Sequence, residues 1–234
     1  MRKLAQYFYP QGQTKIMNEG WATYWHYTLL NHLHQKGLVT DGFMLEMLQS
    51  HTNVTWQPAF DQPGYQGINP YALGYAMMQD IRRICERPTA EDRQWFPDIA
   101  GSDWKKTLDF AMRNFKDESF IGQYLSPKLI REFHLFAVAD HESRDHLEIA
   151  AIHNEHGYAN LRKLLAQQHC LDQHLPDIQV LNYERHGDRS LVLLHQKHRG
   201  RPLVENESDQ VLKHLRRLWG FDVRLQVELS LIHI

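Results

Sequence analysis

The stretch MNEGWATYWHY, residues 17–27, sets one carboxylate, Glu19, and one imidazole, His26, into a run that is otherwise apolar and aromatic. These side chains can ligate a metal or exchange protons with a substrate. An unpaired carboxylate in apolar surroundings is costly, so it must be neutralised, hydrogen-bonded or ligated. Two outcomes fit, a functional polar site and a structural hydrogen-bonded pair. On a helix, seven positions span about 10.5 Å, so both side chains reach one ion only by leaning together. A simpler division makes Glu19 a metal ligand and His26 its acid/base partner. Further donors must then come from outside this segment. His51, together with Asn69 and Tyr71 in GINPY, is nearest in sequence.

With 16 histidines in the chain, other suggestive spacings arise by chance. In HESRDH, His141 and His146 are five apart in an expected hairpin turn, whereas the zinc-protease helix needs two histidines four apart on one face. HNEH puts His153 and His156 at an exposed helix start, where only adventitious metal binding is expected. RHGDRS reads as a tight turn, and Lys213, Arg216 and Arg217 in KHLRRLWG read as the solvated face of an amphipathic helix.

The elements that must carry Glu19, His26 and His51 follow from periodicity. Thr14 to Lys36 is helical, with Gly37 as its stop. Glu19, Ala22, Thr23, His26, Leu30 and Leu33 share one face and Met17, Trp21, Tyr24 and Thr28 the other, so the helix, and with it Glu19 and His26, is expected to be buried. A second helix from about Thr40 delivers His51 at its end, and an irregular Pro- and Gly-rich loop leads to a third helix after Pro70. GSDWKKTLDFAMRNF, DESFIGQYL and SPKLIREF read as further helices. Near Phe133 the period changes to two, and FHLFAVAD and HLEIAAI flank a hairpin turn. From Leu147 the order is β-α-β-β-α-β. The expected fold is therefore α+β: a helical domain over 1–132, then a ferredoxin-like β-α-β-β-α-β domain with an extra strand over 133–228. The last six residues, LSLIHI, also read as the translation of a transposon end used in sequencing libraries, so 229–234 are expected to be a non-native tail.

Composition bounds the rest. At 42% apolar and 23% charged the chain is in the globular range. Its net charge of −2 offers no field for nucleic acid or an anionic membrane. Cys85 and Cys170 form neither a disulfide framework nor a paired zinc motif, and no apolar run reaches membrane-spanning length. A soluble cytoplasmic protein with reduced thiols is expected.

Several long blocks carry a resemblance: AQYFYPQGQTKIMNEGWATYWHYTLLNHLHQKG, SHTNV, GINPYALGYAMMQDIRRIC, WFPDIAGSDW, FKDESFIGQYLSPKLIREF and AIHNEHGYANLR. In that order they closely resemble the SpoVR family, the stage V sporulation protein R proteins, over essentially residues 1–228. The resemblance implies a role in forming the spore cortex or, outside spore formers, in a stress response. It implies as partners a serine protein kinase and a von Willebrand-type protein. It also implies that the chain corresponds to the C-terminal half of a longer protein. Separately, NEGWATY resembles the NEGFA segment of gluzincin aminopeptidases, whose Glu is the third zinc ligand. That likeness implies a metal-dependent hydrolase in which Glu19 binds zinc or another divalent ion, the first two ligands lying outside this chain. The alternative is a non-catalytic regulatory protein acting through the kinase partner.

Overall fold

In the computed structural model the described residues are 2–139, 148–151, 153–170, 176–184, 189–200 and 203–228. The chain forms two compact units, Met1–His169 and Cys170–Ile234. The HESRDH turn, most of the RHGDRS turn and the 229–234 tail lie outside the described residues.

The first unit opens with α1 (Arg2–Gly12) and α2 (Lys15–Gln35), followed by α3 (Asp41–Val54) and α4 (Pro70–Glu86). Four shorter helices follow: α5 (Ala90–Trp95), α6 (Trp104–Asn114), α7 (Asp117–Tyr124) and α8 (Pro127–Glu132). The hairpin strands β1 (Ala137–Ala139) and β2 (Glu148–Ala151) and then α9 (Glu155–Gln168) complete it. Most helix starts follow local chemistry. Thr40, Asn69, Asp103, Ser126 and Asn154 each accept a first-turn backbone N–H on their side chain. Gly37, at a φ of 69°, lets the chain leave α2 in the left-handed region.

α2 is capped from a distance. Its N-cap Thr14 makes no side-chain cap bond. Asp117, at the start of α7, supplies the cap instead, accepting from the N–H groups of Ile16 and Met17 at 2.9 Å each. Asp117 is buried, and burial pushes its pKa up against the downward pull of those N–H groups.

The core lies between α2 and α4. Leu73, Met77, Met78, Ile81 and Cys85 of α4 meet Ile16, Met17 and Tyr24 of α2, with α6, α7 and α8 closing around them. The two long helices touch backbone to backbone at Gly20 and Gly74, where a Cβ on either glycine would overlap the other helix's main chain. Near the end of α4, Arg83 donates to both oxygens of Asp92, at 2.6 and 2.7 Å, and to Asp80 at 2.6 Å. Burial alone would raise the Asp92 pKa, but Arg83 and the bonds from Thr89 hold it down to about 2.

From sequence the division of the chain is expected at 132/133, whereas the units meet at His169/Cys170. The physical reason is α9, whose Tyr158, Leu161, Leu165 and Ala166 join the helical core. The second unit holds β3 (Pro176–Glu184), β4 (Ser190–Gly200), α10 (Glu205–Trp219) and β5 (Asp222–Glu228). Its sheet order is β3-β4-β5, antiparallel between β3 and β4 and parallel between β4 and β5. The fold is α+β, as expected, but the described residues do not form the ferredoxin-like sheet. β2 pairs with β1, and β5 pairs directly with β4. Among the described residues no helix is long and apolar enough to cross a membrane.

Gly20→Ala should lower stability by about 1–3 kcal/mol, because the added methyl forces α2 and α4 apart. Urea unfolding of the variant against the parent chain checks this, and unchanged stability would show that the glycine contact does not set the crossing.

Candidate functional site

Glu19, His26 and His51 sit on two helices of the first unit that the loop before α4 ties together. α2 buries one stripe, Ile16, Met17, Gly20, Thr23 and Tyr24, against its neighbours. The expectation that both faces are buried is therefore corrected: Glu19 is half-buried, while Ala22 and His26 are exposed. A helix apolar on two sides here has one side against α4, and the aromatic rings of Trp21 and Trp25 pack at its flanks.

Glu19 lies near Tyr71 in the first turn of α4, and its carboxylate, which favours the protonated phenol, together with some desolvation pushes the phenol's pKa up. Tyr71 is placed by Asn69, whose Oδ1 accepts from the Tyr71 N–H at 2.9 Å. The same side chain donates through Nδ2 to the carbonyls of Val54 and Trp56, at 2.8 and 3.0 Å. Asn69 thus pins the end of α3 to the start of α4 and has both ends of its amide engaged. It positions the site and does not serve it as a donor.

His51, in the last turn of α3, lies between two tyrosine rings, 4.9 Å from Tyr27 and 4.7 Å from Tyr75 between centroids. Its pKa is lowered, first by burial and then by the nearby charge of His26. The structure therefore sets His26 within electrostatic range of His51, and Glu19 within that of Tyr71, at successive positions along α2. It does not bring three metal-ligating side chains to one point among the described residues. Tyr27, Tyr75 and Gln79, which donates to the Tyr75 hydroxyl at 2.7 Å, belong to this cluster as well. The available signal was Tyr71, Tyr75 and Gln79 at four-residue spacing on one helix face. Of the other histidines weighed from sequence, His153 is engaged with the carbonyl of Leu135 at 2.7 Å and His156 is exposed.

The pattern of long blocks now has its counterpart. Residues 1–174 match the family model for SpoVR like protein, and residues 176–229 match the model for the SpoVR-like C-terminal domain. The chain belongs to the SpoVR family. It is similar to the uncharacterized protein YcgB of Escherichia coli K12, 59% identical over 226 residues. That match takes in 97% of this chain but 44% of YcgB, so the chain spans less than half the length of the curated relative it matches. No solved structure matches it significantly. The junction between the two SpoVR models falls within a few residues of the junction between the two compact units.

The lowered His51 pKa has a definite sign. The folded value lies below the ordinary 6.5, so the neutral ring is favoured in the fold. The resulting stability is complete above that ordinary value and is lost as pH falls through the lowered one. In His26→Gln the His51 midpoint, followed by NMR of the ring protons, should move up towards 6.5. A midpoint indifferent to His26 would show that the two rings do not interact.

Proposed function

We propose that this chain contributes Glu19 and His51 to a divalent-metal site in a SpoVR protein, with His26 as the neighbouring acid/base group. The placement of a partly buried carboxylate on α2 and a partly buried imidazole, held between Tyr27 and Tyr75, at the end of α3, with exposed His26 on α2, supports the reading. Imidazole and carboxylate donors suit zinc. No three donors converge among the described residues, so the remaining ligands come from the part of the relatives' length that this chain does not span. Glu19 and His51 would hold the ion, which when bound would supply Lewis-acid activation for hydrolysis. The chain's own residues prepare the site. Tyr71 lies near the Glu19 carboxylate, and Asn69 holds the ends of α3 and α4 in register. Burial favours the neutral His51 ring, the form in which an imidazole ligates. The family's name points to sporulation; on this reading the activity serves spore cortex formation, with cell-wall peptide or glycan as the substrate class, or a stress response outside spore formers.

Elemental analysis of a full-length SpoVR protein bearing these residues should find about one metal ion per chain. Glu19→Gln and His51→Ala should each deplete it while circular dichroism stays unchanged. Metal-free parent protein of intact fold overturns the reading.

A second reading, a non-catalytic protein working with a serine protein kinase and a von Willebrand-type partner, draws support from the second unit. There, among the described residues, β3 stands at the edge of the sheet with Ile178, Val180 and Tyr183 exposed. Unpaired strand edges with apolar side chains are templates for strand addition. On this reading Val180→Lys abolishes co-purification of the kinase and leaves metal content alone. Undiminished capture by that variant removes β3 as the contact.

A further inference from the structure

Past the Gly20 and Gly74 contact lies a cavity of about 430 Å³ that shares Tyr27 and Gln79 with the His51 cluster, but whose Tyr24, Arg82 and Arg87 the metal-site reading does not use. Tyr24 of α2 is 2% exposed, its ring packed edge-on against Trp25 and Trp104. Tyr24 lines this cavity, and its hydroxyl, almost wholly covered, has no hydrogen-bond partner. Arg82 of α4 lies beside that hydroxyl, close enough for the two to interact electrostatically. Even when the phenol oxygen accepts from Arg82, the phenol proton still needs an acceptor, and a buried donor left unmet is costly.

Arg82 is held in place from two sides. Its guanidinium lies 4.8 Å from the centre of the Trp104 ring, and its Nε donates to Glu86 at 3.0 Å. A guanidinium has five N–H donors, so this single bond leaves most of the fork available. Arg83, also in the wall, is committed to Asp80 and Asp92. Exposed Arg87 at the end of α4 is a further cation at the rim, with His32 and Gln35 across from it on α2. The cavity thus presents a fixed guanidinium, a phenol proton in need of an acceptor and a second arginine. Glu86 beside them accepts hydrogen bonds.

We infer that this cavity binds the phosphate group of a small hydroxylated phosphate monoester, between the Tyr24 hydroxyl and the Arg82 guanidinium. Phosphate oxygens meet the phenol proton and the open side of the guanidinium fork together, which a neutral acceptor does less well. Glu86 repels a bare anion but accepts from a hydroxyl, so the ligand carries hydroxyl groups beyond its phosphate. The volume suits a sugar phosphate or a mononucleotide.

The test is calorimetric titration of the whole chain with inorganic phosphate, ribose 5-phosphate and ribose at constant ionic strength. Saturable binding of ribose 5-phosphate, tighter than inorganic phosphate and absent for ribose, is expected. Tyr24→Phe and Arg82→Gln should each weaken it about tenfold or more, while Glu19→Gln leaves it unchanged. Should Arg82→Gln fail to fold, Tyr24→Phe, which removes a single oxygen, decides alone. Absence of saturable binding, equal binding of ribose, or affinity unaltered in the folded variants overturns the assignment.

Discussion

The close approach of α2 and α4 at Gly20 and Gly74 is the constraint on which the rest of the first unit depends. Two helices carrying ordinary side chains at the crossing would stand 8–10 Å apart, a typical helix separation. Here the main chains are in contact. That approach sets Tyr71 near Glu19 and lets Tyr27 and Tyr75 close around His51. It also determines where the helices separate, and so where the cavity beside Tyr24 and Arg82 begins. One steric fact therefore governs both polar regions of the unit.

Long-range polar anchors hold this crossing in register. Asp117 caps α2 from about 100 residues away, so the start of α2 is committed only when α7 is docked. Arg83 spans Asp80 on its own helix and Asp92 on α5. Both arrangements are largely removed from water, where a paired charge is tolerated and an orphaned one is expensive. They make the helical body cooperative: the start of α2 is completed only by α7, and the end of α4 is tied to α5 through Arg83.

The second unit illustrates a different physical limit. The order of strands and helices from residue 176 onward follows from alternation, turns and the Gly220 stop. Which strands pair does not follow, since alternation specifies a face and says nothing about a neighbour. β2 has only four residues and closes a hairpin with β1, and α9 behind it gives its apolar face to the helical core. A β-α-β-β-α-β order is therefore present along the chain without the corresponding four-stranded sheet among the described residues.

Much of the helical architecture was legible. The stop at Gly37, the caps at Thr40, Asn69, Asp103, Ser126 and Asn154, and the start at Pro70 each depend on one or two adjacent residues. Glu19 and Tyr71 were both visible as candidates, because a carboxylate in an aromatic run and a tyrosine at a capped helix start are locally unusual. The exposure of His26 was not legible: periodicity locates two apolar stripes on α2 without saying which one meets α4. The roles of Asp117, Tyr24 and Arg82 were hidden for the same reason. By itself the sequence determined the elements, their ends and the types of side chain available, since these are properties of neighbouring residues. Only the tertiary structure decided which groups meet, because hydrogen bonds, burial and cavities belong to pairs of elements brought together by packing.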